Sequence, residues 1–378
     1  MNKLRFHLLG VAYSETHKIN SVCPFTQKII RLAKMLKDYG HTVYFYGVEG
    51  SEVECDEFIQ VSTKDIIKET YGSYDKSTMI FNHDPNNKAN YVFNDNAIKA
   101  ILARKKDRDI LLCPMGTIHK PIADSVHMLT VEPGIGYPGT FAPFRVFESY
   151  AWMHYNYGLE KKSNGGWYDA VIPNYFDPED FRYECKKDDY LLYFGRISSC
   201  KGVQIASDVA KVTGNELYIV GQGSLDNPSD GLNLSKEKHI KYHSAVGPEE
   251  RAEIMSKAKA LLMPTLYLEP FGAVCLEAQM CGTPVITTDW GAFPETVLHG
   301  VTGYRCRTFE EFTWAVRNIS NIKPEKVREW AVSNYSMERV GKMYEEYFQR
   351  VANLYDKGWY QPNDERLEFD WLKRIYPN

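Results

Sequence analysis

The sequence of 378 residues lacks the features that would direct a chain to a membrane or to nucleic acid. No segment approaches the ~20 apolar residues needed to span a bilayer. The N-terminal stretch MNKLRFHLLGVAYSETHK has too short an apolar run for a signal peptide. The formal net charge of −4 gives no electrostatic reason to expect nucleic acid or anionic lipid as a partner. We therefore expect no transmembrane segment and no general basic patch.

The sequence also lacks paired cysteines. Its eight cysteines are scattered over the whole length, and none forms a Cys-x-x-Cys pair. This spacing argues against a disulfide framework and against a zinc site, and it is typical of reduced thiols. We therefore predict a cytoplasmic protein.

What the sequence does contain is a regular alternation of strands and helices. The strand KLRFHLLGV is followed by the helix TQKIIRLAKMLKDYG and the strand HTVYFYGV, and the alternation starts again at YLLYFGR. The polar segment 177–189 separates the two series and is interpreted as a linker. Because 378 residues exceed what one core usually serves, we predict an α/β fold with two domains built on parallel sheets. Ligands of such sheets bind at the carboxyl ends of the strands.

The segment YFGRISSCKG ends one predicted strand with two cations, Arg196 and Lys201. Gly195 would let the backbone approach a ligand closely, and an arginine fork beside a lysine suits a diphosphate. A solvated surface loop explains the same residues equally well. Gly221, in ELYIVGQGS, could admit a nucleotide or could simply end a strand.

The segment EPFGAVCLEAQMCG places Glu269 and Glu277 eight residues apart, on either side of a Pro-Phe-Gly turn. The helix predicted after Gly272 would present free N–H groups and the positive end of its dipole, which suit phosphate oxygens. A carboxylate near such a site would bind sugar or ribose hydroxyls. The alternative is that one glutamate is a loop charge and the other complements the helix dipole.

Together these motifs resemble the glycosyltransferases of family 4, which have the GT-B fold. The E-x₇-E motif corresponds to Glu269 and Glu277, and the upstream GR-x₄-KG motif corresponds to Arg196 and Lys201. The stretches AVIPNYFDPEDF and WGAFPETVLHGVTGY also resemble family segments, so the resemblance covers most of residues 171–304 in the family's order.

The resemblance implies a two-domain architecture. Two Rossmann-like, doubly wound domains would face a cleft, with C-terminal helices returning to the N-terminal domain. The implied boundaries are 1–176 for the acceptor-side domain, 177–342 for the donor domain, and 343–378 for a helical tail that packs back on the N-terminal domain.

The resemblance also implies a reaction. The protein would be a retaining transferase that moves a sugar from a nucleoside-diphosphate-sugar donor, most simply a UDP- or GDP-sugar, to an acceptor hydroxyl by a front-face route. It would need no metal ion and no other cofactor, and the acceptor is not identified. The catalytic residues would be Arg196 and Lys201 on the diphosphate and Glu269 on the donor sugar. The donor-binding residues would be Glu277 on the ribose, the backbone of Phe271, Gly272 and Ala273, and the glycines Gly195 and Gly221.

The first domain departs from the family at two places. Where members carry a Gly-Gly pair before the first helix, this sequence reads NSVCPFTQKII, so donor contact there would be altered or would come from Ser21 and Val22. Where many members have a histidine facing the donor sugar, this sequence has Glu132, which would contact the donor sugar or an acceptor, or would be structural.

These departures leave two other functions open. One is a sugar-nucleotide epimerase of the same fold, and the other is a catalytically inactive protein that binds nucleotide-sugars. The aromatic run 141–158 also has two interpretations, a wall that stacks on sugars and, the one we favour, a core helix.

Overall fold

The computed structural model of the chain describes residues 2–18, 23–73, 84–244 and 246–354. Its contacts divide the chain into two compact units. Unit 1 contains the chain up to Tyr175 and the segment that starts at Val340, and unit 2 contains Phe176–Arg339. Within the described residues, no helix has the length and apolar character that crossing a membrane requires.

The described residues of unit 1 up to Tyr175 form seven strands and five helices. The strands are β1 (Arg5–Leu9), β2 (Thr42–Val48), β3 (Glu57–Ser62), β4 (Ile110–Leu112), β5 (Leu129–Ile135), β6 (Phe144–Phe147) and β7 (Asp169–Val171). The helices are α1 (Pro24–Asp38), α2 (Lys64–Tyr71), α3 (Lys88–Leu102), α4 (Lys120–Val126) and α5 (Tyr150–Leu159).

The seven strands form one sheet in the order β3-β2-β1-β4-β5-β6-β7, and every pair is parallel. The order reverses between β1 and β4, which is the arrangement of a doubly wound sheet. Helix α1 begins at Pro24, whose fixed backbone angle suits the first position of a helix.

The described residues of unit 2 form the remaining strands and six helices. Its strands are β8 (Tyr190–Phe194), β9 (Glu216–Val220), β10 (Asp226–Asn227), β11 (Leu232–Asn233), β12 (Ile240–His243), β13 (Ala260–Met263), β14 (Val285–Thr288) and β15 (Gly303–Cys306). Its helices are α6 (Val203–Thr213), α7 (Pro248–Lys257), α8 (Ala273–Met280), α9 (Phe293–Thr296), α10 (Phe309–Arg317) and α11 (Pro324–Tyr335).

Six of these strands form a second parallel sheet in the order β12-β9-β8-β13-β14-β15. Here the order reverses between β8 and β13, so the loops after these two strands begin next to each other. A core that includes Leu191, Ile219 and Leu262 lies under the sheet. The fold is therefore α/β with two Rossmann-like, doubly wound sheets.

The last described helix, α12 (Met337–Ala352), extends from unit 2 into unit 1. Within unit 1, Glu345 of α12 pairs with the ring of His41 at 2.6 Å, and both side chains are buried. Phe348 packs edge-on against Phe6 at 4.9 Å between centroids. Arg108 donates hydrogen bonds to the carbonyl groups of Ala352 and Leu354. Apolar packing and buried polar contacts therefore hold this helix on unit 1.

The aromatic run 141–158 forms two elements rather than one core helix. Phe144–Phe147 is the buried strand β6, and the helix α5 starts only at Tyr150. Ser149 accepts a hydrogen bond from the amide of Trp152 and so begins the helix. The prediction of a core helix is therefore right that this run packs in the interior, but wrong for its first half, which is a strand.

Two glycines bring the ends of β8 and β9 into backbone contact. Gly195 follows β8 and Gly221 follows β9, with φ angles of 152° and 149°. A Cβ on Gly221 would lie 1.9 Å from the carbonyl oxygen of Gly195, whereas a Cβ on Gly195 would meet nothing within 4 Å. Gly221 is therefore required by packing, and the surface above Gly195 is open.

We expect Gly221→Ala to destabilise the protein more than Gly195→Ala. Both substitutions place a side chain on a backbone conformation that favours glycine. The difference between their losses of stability therefore measures the clash at Gly221 alone. The free energy of unfolding should fall by about 2 kcal/mol more for Gly221→Ala, measured by urea denaturation. Equal losses for the two variants would contradict the backbone contact.

Candidate functional site

The candidate site lies at the carboxyl edge of the unit 2 sheet, where the strand order reverses. The loop after β8 carries Arg196 and Lys201, and the loop after β13 carries Glu269. Ligands of open parallel sheets bind at such switch points, because the loops on either side diverge there. The topology thus brings together two motifs that are about seventy residues apart in the chain.

The loop after β8 is held by contacts with Asp230 and with the loop after β13. Ser199–Lys201 forms a 3₁₀ turn, and Asp230 accepts hydrogen bonds from both the amide and the hydroxyl of Ser199. Gly202 has a φ of 76°, and a Cβ there would lie 2.0 Å from the carbonyl oxygen of Pro264. The turn therefore packs directly against the loop after β13, which directs Lys201 toward it.

Lys201 is part of a three-residue cluster. The same carboxylate oxygen of Glu269, Oε2, accepts hydrogen bonds from Lys201 Nζ at 3.0 Å and from the hydroxyl of Tyr267 at 2.5 Å. Lys201 Nζ also contacts the Tyr267 hydroxyl, and it lies 4.3 Å from the ring centroid. Burial, with Glu269 close by, raises the pKa of Tyr267 well above its usual range, so the phenol stays neutral.

The second oxygen of Glu269, Oε1, has no hydrogen-bond partner within the described residues. The side chain is 12% exposed, so this oxygen is available to a ligand at the edge of the sheet. The cluster uses one carboxylate oxygen to hold Lys201 and Tyr267 and leaves the other open.

Arg196 supplies a charge that is not compensated. It is exposed, and its guanidinium forms no ion pair or hydrogen bond with any residue that the structure describes. It is close enough to Tyr267 to oppose the rise in the pKa of that phenol. An exposed, uncompensated arginine beside a held lysine favours binding of an anion such as a diphosphate.

The start of α8 adds backbone donors to the same edge. Gly272 has a φ of 77°, and a Cβ there would meet the ring of Phe293 at 2.8 Å. Phe271 is buried and packs edge-on against Tyr335, which anchors the turn. The helix has no side-chain cap, and the Cys275 amide donates to the Gly272 carbonyl at 2.9 Å. Within the described residues, the amides of Ala273 and Val274 therefore remain as donors.

Glu277 lies on α8 and has a partner that the sequence did not reveal. Its carboxylate forms a salt bridge with Arg251 of α7, and the Arg251 guanidinium lies 4.6 Å from the ring centroid of Phe194. The two side chains are 13% and 19% exposed. Each glutamate of the E-x₇-E motif is therefore held by a basic side chain.

The structure places most of the predicted donor-side residues on one edge of unit 2. Gly195, Arg196, Lys201, Gly221, Glu269, Phe271, Gly272 and Ala273 all lie in the loops or helix start at the carboxyl ends of β8, β9 and β13, and Glu277 follows one turn into α8. Their roles toward a ligand remain predictions. The described residues contain no group of three His, Cys, Asp or Glu that could hold a metal ion.

Three residues of the site were missed from the sequence. Tyr267 could have been found, because side chains two residues apart in an extended segment lie on the same side, and Tyr267 precedes Glu269 by two. No local signal connects Arg251 with Glu277 or Asp230 with Ser199, since these pairs are joined only by the fold.

The structure does not describe two of the three site residues predicted in unit 1, and it shows the third to be buried. Ser21 and Val22 lie outside the described residues. Glu132 is fully buried, and its carboxylate accepts hydrogen bonds from the amides of Phe141 and Ala142, both at 2.9 Å, and from the hydroxyl of Tyr137 at 3.2 Å. These contacts hold the loop after β5, and a contact of Glu132 with a ligand remains a prediction.

The sequence comparisons cover the part of the chain that contains this candidate site. Residues 177–335 match the family model described as "Glycosyl transferases group 1". A glycogen synthase of Mycobacterium tuberculosis is 34% identical over 143 residues, which are 34% of this chain and 33% of that protein. The match thus spans about a third of the length of that curated relative. Residues 177–335 are therefore similar to a group 1 glycosyltransferase domain.

The structural comparisons cover nearly the whole chain. AviGT4, a glycosyltransferase involved in avilamycin A biosynthesis, has a TM-score of 0.68 at 18% identity and covers 93% of this chain and 98% of its own. Anabaena HepE, solved with UDP-glucose, has a TM-score of 0.62 at 13% identity and covers 92% and 99%. At these identities the likeness shows the fold, which is the GT-B fold of glycosyltransferases.

We expect Glu132→Ala to destabilise the protein by about 3 kcal/mol, because two buried amides lose their acceptor at a cost of about 1–3 kcal/mol each. Glu132→Gln keeps a carbonyl oxygen for the amides and should lose less. Urea denaturation of both variants measures the difference. Equal stability of the alanine variant and the wild type would show that these hydrogen bonds do not hold the loop.

The same variants give a pH dependence. Burial raises the pKa of Glu132 to about 7, against the opposing effect of the two amides and Tyr137. A carboxyl whose pKa is higher in the folded state contributes stability that is present at low pH and lost as the pH rises through 7. The wild type should therefore gain about 2 kcal/mol over Glu132→Gln between pH 8 and pH 5. No change in this difference would contradict the raised pKa.

Proposed function

We propose that this protein is a retaining glycosyltransferase that moves a sugar from a nucleoside-diphosphate-sugar to an acceptor hydroxyl. The observation that carries the proposal is the cluster of Lys201, Tyr267 and Glu269 beside the uncompensated Arg196, at the switch point of a glycosyltransferase domain. It presents cations for a diphosphate and an open carboxylate oxygen for a sugar within one short stretch of the sheet edge.

The diphosphate is assigned to Arg196, Lys201 and the first turn of α8. Two cations and the amides of Ala273 and Val274 supply donors to the phosphate oxygens, and the helix dipole adds a partial positive charge. These groups neutralise the charge that develops on the leaving group, which can be worth several kcal/mol of transition-state stabilisation. Because these donors are already in place, we propose that the reaction requires no metal ion.

The sugar and the ribose are assigned to the two glutamates. Oε1 of Glu269 accepts hydrogen bonds from donor-sugar hydroxyls, while Oε2 stays on Lys201 and Tyr267. Glu277, held by Arg251, binds the ribose hydroxyls. Carboxylates suit neutral hydroxyl groups and would repel phosphate, so each acid is paired with the uncharged part of the donor.

The proposed transfer occurs on one face of the sugar. The bond between the anomeric carbon and the phosphate oxygen breaks, and the acceptor oxygen forms a bond to the same carbon from the same side. The acceptor proton passes to the departing phosphate oxygen, so no protein nucleophile is needed. Lys201 and Arg196 stabilise the charge on the diphosphate throughout.

The donor is proposed to be a UDP- or GDP-sugar. Support comes from HepE, whose solved complexes contain UDP and UDP-glucose. We also propose a cytoplasmic location, which the eight unpaired cysteines support, since such thiols persist in a reducing compartment.

The first test is a thermal-shift and turnover panel of UDP, GDP and their glucose conjugates in EDTA. We expect one nucleotide to raise the melting temperature, and its sugar conjugate to release nucleoside diphosphate only when an acceptor from a panel of simple sugars is present. Conversion of the sugar conjugate to its epimer without net release of nucleoside diphosphate would favour the epimerase, and stabilisation without turnover would favour an inactive binding protein. No stabilisation by either nucleotide would contradict a donor site.

Within that panel, Lys201→Ala should lower kcat by about 10²-fold or more, because the leaving group loses a fixed cation. The matched control is Lys211→Ala, since Lys211 is an exposed lysine of the same unit paired with Glu237. Near-normal turnover by Lys201→Ala would remove Lys201 from the mechanism.

A second test needs no turnover. Cys200 is exposed and directly precedes Lys201, and Cys185, also exposed, belongs to the same unit but lies before β8, at the opposite end of that strand. UDP or GDP at ten times its Kd should slow alkylation of Cys200 about tenfold and leave Cys185 unchanged. Mass spectrometry after N-ethylmaleimide treatment measures both rates. Protection of neither cysteine by a nucleotide that binds would place the nucleotide elsewhere.

A further inference from the structure

We propose that Tyr267 is a positioning residue that couples recognition of the donor's diphosphate to recognition of its sugar. By holding Lys201 and Glu269 together, its hydroxyl leaves one ammonium hydrogen for the diphosphate and one carboxylate oxygen for the sugar. The inference rests on the proposed function, and no motif of the sequence assigns a role to this tyrosine.

The hydrogen-bonding capacity of the cluster supports this division. An ammonium has three donors, and Lys201 uses one on Glu269 and one on the Tyr267 hydroxyl, which leaves one. Glu269 uses Oε2 for both of its partners and keeps Oε1 open. The three side chains therefore satisfy one another. One N–H of Lys201 and one oxygen of Glu269 are left for a ligand.

The direction of each hydrogen bond is also determined. A carboxylate only accepts and an ammonium only donates, so the Tyr267 hydroxyl must donate to Glu269 and accept from Lys201. The arrangement requires a neutral phenol, and the raised pKa of Tyr267 keeps it neutral. A phenylalanine at this position would keep the ring and lose both contacts.

The extended backbone of the loop after β13 places the side chains of Tyr267 and Glu269 on the same side. Leu266 and Leu268 are exposed, at 55% and 46%, while Tyr267 and Glu269 alternate with them and face Lys201. The Leu266 amide donates to the carbonyl of Cys200 at 2.9 Å, and the Glu269 carbonyl accepts from the Ala292 amide at 3.0 Å. Both ends of this extended segment are thus fixed, so the hydroxyl of Tyr267 is held in place before any donor arrives.

Without the hydroxyl, Lys201 and Glu269 would remain a simple ion pair. The ammonium would be free to rotate, and the second carboxylate oxygen could turn toward it. We expect nucleotide affinity to change little, because the charges remain, and catalysis to suffer, because neither group is held where the transition state needs it.

The test compares Tyr267→Phe with Tyr218→Phe, a control whose hydroxyl lies near Lys241 and outside the site. With UDP and UDP-glucose, or their GDP counterparts if these are turned over, Tyr267→Phe should lower kcat about 10- to 100-fold. Its Kd for the nucleoside diphosphate should stay within about threefold of the wild type. The control should match the wild type in both.

A double-mutant cycle separates positioning from a structural effect. Because the hydroxyl is proposed to act through Glu269, removing it from Glu269→Gln should lower kcat by less than about threefold further. Losses that multiply in the double variant, or a normal kcat for Tyr267→Phe, would overturn the role of Tyr267 and leave the proposed function intact. If the wild type neither binds a nucleoside diphosphate nor turns over its sugar conjugates, the proposed function fails and this inference fails with it.

Discussion

The contact between Gly202 and the carbonyl group of Pro264 is the constraint on which the candidate site depends. It brings the loop after β8 against the loop after β13, at the point where the sheet order reverses. Any side chain at residue 202 would occupy the position of that carbonyl and push the two loops apart. Lys201 reaches Glu269 because the residue after it has no side chain.

One part of the electrostatic arrangement follows from this contact, because the contact brings Lys201 to Glu269. Two carboxylates lie at the edge of the unit 2 sheet, and each is held by a basic partner, Lys201 for Glu269 and Arg251 for Glu277. Both pairs are mostly buried, where charges interact more strongly than in water and where an unpaired acid would be costly. Arg196 remains uncompensated. The two buried ion pairs thus cancel in charge, and the exposed Arg196 leaves this edge of the sheet with a positive charge. This distribution suits a ligand that has a charged diphosphate and neutral sugars.

Much of the fold could be predicted from the sequence, because it depends on local patterns. The apolar runs from Arg5 and from Tyr190 become the first strands of the two sheets, and the apolar spacing after Pro24 becomes α1. The aromatic run 141–158 was harder, since large apolar side chains pack equally well in a strand and in a helix.

The candidate site was predictable only where a residue belongs to a compact motif. Arg196, Lys201, Glu269 and Glu277 lie together in such motifs and meet at one edge. The partners that orient them do not, because Arg251 and Asp230 approach through the sheet order and not through sequence spacing. Glu132 shows that a residue outside a compact motif can suggest a site by its sequence context alone. A lone glutamate beside glycines resembles a ligand contact, and only its burial and its two amide donors show what it holds.

The most direct measurement of the central claim is a crystal structure of the protein with bound UDP or GDP. The account predicts a diphosphate in contact with Arg196, Lys201 and the first-turn amides of α8, with the Tyr267 hydroxyl still on Glu269. A nucleotide bound at another part of the chain, with Lys201 still turned only toward Glu269 and Tyr267, would contradict it.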